Sequence, residues 1–121
     1  MFYIEAPAGT GFSVCDKANC SFDDNSTADD NLAAVLYLLE TKFPELSTND
    51  LYLSGESYAG IYVPYLAEKM DDYITAHLGD DTFKPNLKGF MVGNGVTNWR
   101  YDTLPAFTEI AYYNGLIEED L

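Results

Sequence analysis

Positive charge is scarce in this sequence. Six Lys and Arg face twenty Asp and Glu, giving a formal charge of −14 and a pI near 4.1. Phosphates would meet a strongly negative surface, which argues against nucleic-acid binding and against attraction to an anionic membrane. No apolar run reaches the roughly 18 residues that a bilayer-spanning helix needs. Histidine occurs once, as His77, and cysteine twice, as Cys15 and Cys20. One C-x4-C pair and a single histidine are too few for a zinc site. Other cofactor loops fail as well. Gly9-x-Gly11 has Val14 where a dinucleotide loop needs its third glycine. Asp23-x-Asn25-x-Thr27 starts like a calcium loop, but Ala28 replaces the required glycine and Ala34 the closing glutamate. Neither a metal nor another cofactor is expected. Internal repeats, low-complexity tracts and Pro/Ser/Gly-rich linkers are also missing.

What is present is apolar and aromatic. Hydrophobic residues make up 47% of the 121, with ten Tyr and seven Phe, enough for a core and against wholesale disorder. The length is about one domain's worth. The acidity fits a protein adapted to an acidic compartment, where protonation relieves self-repulsion, or simply a solubilising surface. Met1 runs straight into the strand-like Phe2-Tyr3-Ile4, with no basic n-region and no cleavage site, so no signal peptide is read. Leu116 to Leu121 looks like a helix just starting. A chain that opens inside a strand and stops inside a helix reads as residues 1–121 of something larger. Cys15 and Cys20 can close a small loop, which would imply an oxidising compartment. Asn19-Cys20-Ser21 and Asn25-Ser26-Thr27 both fit the N-glycosylation pattern, and together with the cysteine pair they favour a secretory or lysosomal setting.

Strands and helices alternate along the chain. A strand over 2–5 and a polar loop over 6–25 precede a helix. That helix shows Leu32, Val35, Leu36, Leu39 and Phe43 at three- and four-residue steps, is capped by Ser26 or Thr27 and is stopped by Pro44. A strand follows over 51–54. The next helix, from about Ser57 to His77, has Pro64 near its start, predicting an irregular first turn and regular helix from Pro64 to Ile74. A strand over 89–92 ends in Gly93-Asn94-Gly95, and a tyrosine-rich helix covers about Phe107 to Tyr113. The fold class is therefore α/β, with parallel strands joined by crossover helices.

Gly55-Glu56-Ser57-Tyr58-Ala59-Gly60 lies between a strand and a helix. A serine hydroxyl is a poor nucleophile unless it is exposed, oriented and next to a base. A sharp strand-to-helix turn lifts Ser57 above the strand's carboxyl end, and the residues two before and two after it must be small. Gly55 and Ala59 are. The N–H of Tyr58, at the helix start, is free to stabilise an oxyanion. A serine that merely caps a helix is the plainer alternative. His77 lies twenty positions on and, at about 1.5 Å per helical residue, roughly 25–30 Å away, so it cannot be the base. The tyrosines at 62, 65, 73, 112 and 113 read as half-buried packing residues, some of them potential walls of a cleft.

Glu5-Ala6-Pro7-Ala8-Gly9-Thr10-Gly11-Phe12-Ser13 resembles the E-S-P-A-G-x-G-F-S segment of the serine carboxypeptidases. Gly55 to Gly60, followed by Tyr62-Val63-Pro64, is similar to their G-E-S-Y-A-G-x-Y-V-P elbow. Gly93-Asn94-Gly95 matches their G-N-G turn, and Ala111 to Leu116 resembles the helix after it. The resemblance runs through essentially all 121 residues. It implies a partial α/β-hydrolase fold and an enzyme that removes single residues from peptide or protein C-termini in lysosomal, vacuolar or secreted settings.

By the same resemblance Ser57 is the acylated nucleophile and the Tyr58 N–H one of two oxyanion donors. Glu56 binds the substrate's terminal carboxylate by sharing a proton with a second glutamate, because two carboxyl groups in contact cannot both ionise. Activity should therefore favour acidic pH. The family's N-G-G-P-G-C loop and its triad Asp and His have no counterpart in this chain, so the chain alone should be inactive. A non-catalytic scaffold and an acyltransferase stay open, as does a homodimer of the full-length protein. In the full fold a further strand lies between the strands at 2–5 and 51–54, so those two should not pair directly.

Overall fold

The computed structural model describes residues 1–16 and 20–118. Its elements are helix α1 (Asp24–Tyr37), strand β1 (Leu51–Glu56), helix α2 (Ala59–Ala76), strand β2 (Leu87–Gly93) and helix α3 (Leu104–Tyr113). A π-helical turn at Leu38–Lys42 and a 3₁₀ turn at Pro44–Leu46 follow α1, and a second π-helical turn at Trp99–Thr103 leads into α3.

The start of α1 is fixed by Asp23 rather than by Ser26 or Thr27. The Asp23 carboxylate accepts the Ser26 N–H at 2.7 Å, and the Ser26 hydroxyl accepts the Asp23 N–H at 2.9 Å. This capping box satisfies two end groups at once and contributes on the order of 1 kcal/mol. Thr27 lies inside the first turn, where its N–H donates to Asp23 O at 3.0 Å. Pro44 stops the helical run as the sequence implies, since it supplies no N–H.

β1 and β2 pair in parallel, from Leu51 opposite Leu87 to Glu56 opposite Gly93, with one irregularity after Leu51. The crossover between them is α2, as parallel pairing requires. Its first turn is irregular: Gly60 N–H bonds to Ser57 O and Ile61 N–H to Tyr58 O, both three residues back. The α-helix nevertheless starts at Ala59, five residues before Pro64, not at the proline.

α2 lies on one face of the sheet, with α1 packed against it. Val35 and Leu39 meet Leu53, Ala59, Val63, Leu66, Ala67 and Met70 in a single core. Met70 is wholly buried. The opposite sheet face leaves Tyr52 and Met91 exposed, and among the described elements α3 contacts the turn that precedes it.

Two expectations are corrected. Residues 2–5 form no strand; they run outside the two-stranded sheet, and among the described residues no strand lies beside them to exchange N–H and C=O groups. As expected, they form no ladder with 51–54. The helix expected from Leu116 is absent over 116–118, and 119–121 lie outside the described residues. There the chain turns instead, through Gly115 at φ +67°, with Leu116 N–H bonded back to Ala111 O.

Candidate active site

The bend between β1 and α2 turns on Ser57, whose φ is +62°. This is the left-handed region, which costs a residue with a β-carbon about 1–2 kcal/mol. Its neighbours hold it there. Ser57 N–H donates to Gly93 O at 3.0 Å; Ser57 O accepts from Gly60 N–H at 3.0 Å and from Val96 N–H at 2.9 Å. The Gly-Asn-Gly turn after β2 thus brackets the serine backbone, with Asn94 also left-handed at φ +45°. Ser57 is solvent-exposed, with strand before it and helix after it. It is neither inside the core nor part of a continuous helix.

The small residues around it have identifiable reasons. A β-carbon on Gly55 would lie 2.4 Å from the Ala59 β-carbon and 3.1 Å from Val63 Cγ2. A β-carbon on Gly95 would lie 2.4 Å from Val92 Cγ1 and 3.2 Å from Gly60 Cα. Chain segments on both sides of the bend therefore pass at backbone distance.

Tyr58 follows as the N-cap of α2. Its N–H takes no acceptor among the described residues and stands at a helix N-terminus, where negative charge is favoured. Its half-buried ring lies edge-on to Tyr62, centroids 4.9 Å apart, and 6.0 Å from Trp99. Its hydroxyl donates to Asp24 Oδ1 at 3.1 Å. Removal from water, and then the bond to Asp24, push that hydroxyl above its ordinary value, so it remains a donor. Glu56 ends β1 with its side chain exposed beside Ser57 in the chain. The arrangement sets a hydroxyl, an N–H donor and a carboxyl group at the carboxyl end of a parallel sheet, which suits acyl transfer.

His77 caps the far end of α2, and its Nδ1 bonds Asp80 Oδ2 at 2.9 Å. It takes no part in the elbow. Cys15 and Cys20 are joined as a disulfide. Asn25 is exposed in the first turn of α1, whereas Asn19 lies outside the described residues. Tyr62 and Tyr73 are half-buried, as read from the sequence, but Tyr65, Tyr112 and Tyr113 are exposed.

The loop that opens the chain is held by Glu5. Its carboxylate accepts the Phe12 N–H, and its carbonyl accepts the Ser13 hydroxyl at 2.6 Å. Sequence reasoning missed Asp24 and Val96 as partners of the elbow. No spacing signal marks either, because each contact joins distant parts of the chain.

The model of the serine carboxypeptidase family matches residues 1–121. Serine carboxypeptidase 24 of Arabidopsis thaliana is 43% identical over 89% of the chain and 23% of its own length. Serine carboxypeptidase ctsa-4.1 of Caenorhabditis elegans is 37% identical over all of the chain and 24% of its own length. Among solved structures, Kex1(delta)p, a prohormone-processing carboxypeptidase from Saccharomyces cerevisiae, superimposes with a TM-score of 0.65 at 32% identity. That match covers 97% of this chain and 25% of that one. The chain thus spans about a quarter of the length of these relatives. The neighbour has the α/β-hydrolase fold, of which the parallel strands, crossover helix and elbow seen here are a part.

Proposed function

The chain belongs to the serine carboxypeptidase family, and on that premise we propose that Ser57 is the nucleophile of an enzyme that releases C-terminal residues from peptides. The observation that carries this reading is the exposed left-handed serine at the strand-to-helix bend, clamped by Gly93 and Val96. In the reaction the Ser57 oxygen attacks the last peptide carbonyl and gives up its proton to a base. The Tyr58 N–H donates to the oxygen that becomes negative. The C–N bond then breaks, the C-terminal amino acid leaves with the proton, and water hydrolyses the ester on Ser57.

Glu56 is proposed to hold the substrate's terminal carboxylate, sharing a proton with a second carboxyl group and so favouring acidic pH. The base belongs outside this chain, because its one histidine caps the far end of α2. The chain by itself is accordingly proposed to be inactive. The disulfide and the two glycosylation triplets support a secreted, lysosomal or vacuolar protein.

The test is performed on the complete gene product. A fluorophosphonate should label Ser57, and mass spectrometry should show peptides shortened by one residue at the C-terminus, both lost in Ser57→Ala. Labelling with acyl transfer to alcohols, and no shortening, would replace hydrolysis by an acyltransferase activity. Absence of labelling would leave a non-catalytic scaffold.

A further inference from the structure

We propose that Asp24 is a positioning residue for the elbow: by accepting the Tyr58 hydroxyl, it ties the first turn of α1 to the peptide group that carries the oxyanion-binding N–H. This inference rests on the reading of Ser57 as nucleophile and concerns the same site.

The geometry supplies the reason. The Tyr58 N–H is covalently fixed to the α-carbon that bears the ring, so the ring's orientation constrains where that N–H points. Backbone bonds hold Ser57 on both sides, but the Tyr58 N–H is left without a backbone acceptor among the described residues. The two bonds to the Ser57 carbonyl set the plane of the peptide group it shares with the Tyr58 N–H, and the Tyr58 side chain adds a tie on the other side of that group. Tyr62 and Trp99 touch the ring through its faces and edges, contacts that tolerate sliding. The bond from the hydroxyl to Asp24 Oδ1, at 3.1 Å and partly shielded from water, is the directional one.

Asp24 is itself held. It is the first residue of α1, directly after Asp23, whose capping box with Ser26 fixes that turn. A second tie between the same two helices, the Lys69 to Asp29 ion pair at 2.8 Å, sets α1 against α2 further along. Val35 of α1 packs into the core against α2, so the carboxylate of Asp24 sits on an element anchored independently of the Tyr58 bond, 34 positions away in sequence from the elbow.

A carboxylate at the start of a helix also interacts favourably with the helix dipole. That purely structural role predicts a loss of stability and no selective effect on catalysis. The two roles separate in the complete gene product with Asp24→Ala, Asp24→Asn, Tyr58→Phe and the Asp24→Ala/Tyr58→Phe double variant. Each is followed by steady-state kinetics on a peptide and by the rate of fluorophosphonate labelling, with a thermal melt as a check on folding.

Loss of one such hydrogen bond should lower kcat and the labelling rate about tenfold in Asp24→Ala and in Tyr58→Phe, with KM within about twofold. The double variant should be no slower than the slower single variant, because both remove the same bond. Asp24→Asn keeps an acceptor oxygen and should recover most of the loss. Tyr58→Phe leaves α1 intact, so a folding defect in Asp24→Ala does not leave the question open. Values of kcat within about twofold of wild type in Tyr58→Phe, losses that multiply in the double variant, or a loss confined to KM would each overturn the proposal. Ser57→Ala run in parallel distinguishes the two levels. If that variant remains active, the nucleophile assignment itself is wrong; if it is inactive while Tyr58→Phe is unaffected, only the role of Asp24 fails.

Discussion

Gly60 and the backbone of Val96 pass so closely that a β-carbon on Gly60 would lie 2.3 Å from the Val96 carbonyl oxygen and 2.8 Å from its nitrogen. Both residues also bond the Ser57 carbonyl, so the contact joins the start of α2 to the turn after β2 across Ser57. The obstructing atoms are backbone, which cannot rotate aside.

Gly60→Ala should therefore spread the elbow. A destabilisation of about 1–3 kcal/mol is expected from overpacking, and fluorophosphonate labelling of Ser57 should fall with it. Gly79→Ala is the control: nothing lies within 4 Å of a β-carbon there. Its melting temperature should match the parent protein or slightly exceed it, since alanine restricts the unfolded chain. Equal melting curves for the two variants would contradict the close approach.

The left-handed conformation of Ser57 predicts a difference between two inactive variants. Ser57→Ala keeps the β-carbon and the strain; Ser57→Gly removes both. Both should lose labelling, yet chemical denaturation should find the glycine variant less strained in the folded state by about 1 kcal/mol. Part of that gain is offset by the greater freedom of glycine in the unfolded chain, so stability equal to Ser57→Ala is the lower limit expected. A glycine variant clearly less stable than the alanine one would argue against strain at position 57.

Met70, wholly buried where α2 meets the sheet and α1, is the residue on which the core should depend most visibly. Met70→Ala should cost about 2–5 kcal/mol, read from urea unfolding of the complete gene product. Leu78, 72% exposed just beyond the end of α2, should change stability by no more than about 0.5 kcal/mol when replaced by alanine.

Asp102 gives a pH prediction. The Thr97 hydroxyl, the Thr97 N–H and then the Asn98 N–H donate to its carboxylate, at 2.7 to 2.8 Å, and hold it below the usual carboxylate range. The folded value is lower than the unfolded one. The bonds therefore favour the folded state fully above the unfolded value near 3.9. That contribution is lost as pH falls from there through the folded value. At the mildly acidic pH proposed for activity the turn should remain intact. Hydrogen exchange at Thr97 and Asn98 should stay protected down to about pH 4 and rise below it. Asp102→Asn should remove this pH dependence; protection lost already near pH 6 would contradict the assignment.

Much of the fold was legible because its signals are local. Apolar steps from Leu32 to Leu39, Pro44 as a stop, and Leu51 to Leu53 between turn residues each report on their own neighbourhood, and all appear as elements near the expected positions. The misreadings came where the deciding partner is absent or where side chains pair in a way that periodicity does not record. Phe2 to Ile4 have the composition of a strand but no strand beside them. Asp23 outcompeted Ser26 as a cap because the two form a reciprocal pair, a detail that periodicity does not encode.

For the candidate site, the small residues on both sides of Ser57, between a strand and a helix, pointed to a tight turn, with a helix-capping serine as the plainer alternative. The sequence could not say what clamps that turn. The carbonyl of Gly93, the N–H of Val96 and the carboxylate of Asp24 reach the elbow from other parts of the chain. Their arrival depends on parallel pairing of β1 with β2 and on the packing of α1 against α2, and only the folded chain sets those relations. Local chemistry marked Ser57 as the candidate; long-range contacts, which no spacing along the chain records, decided how it is held.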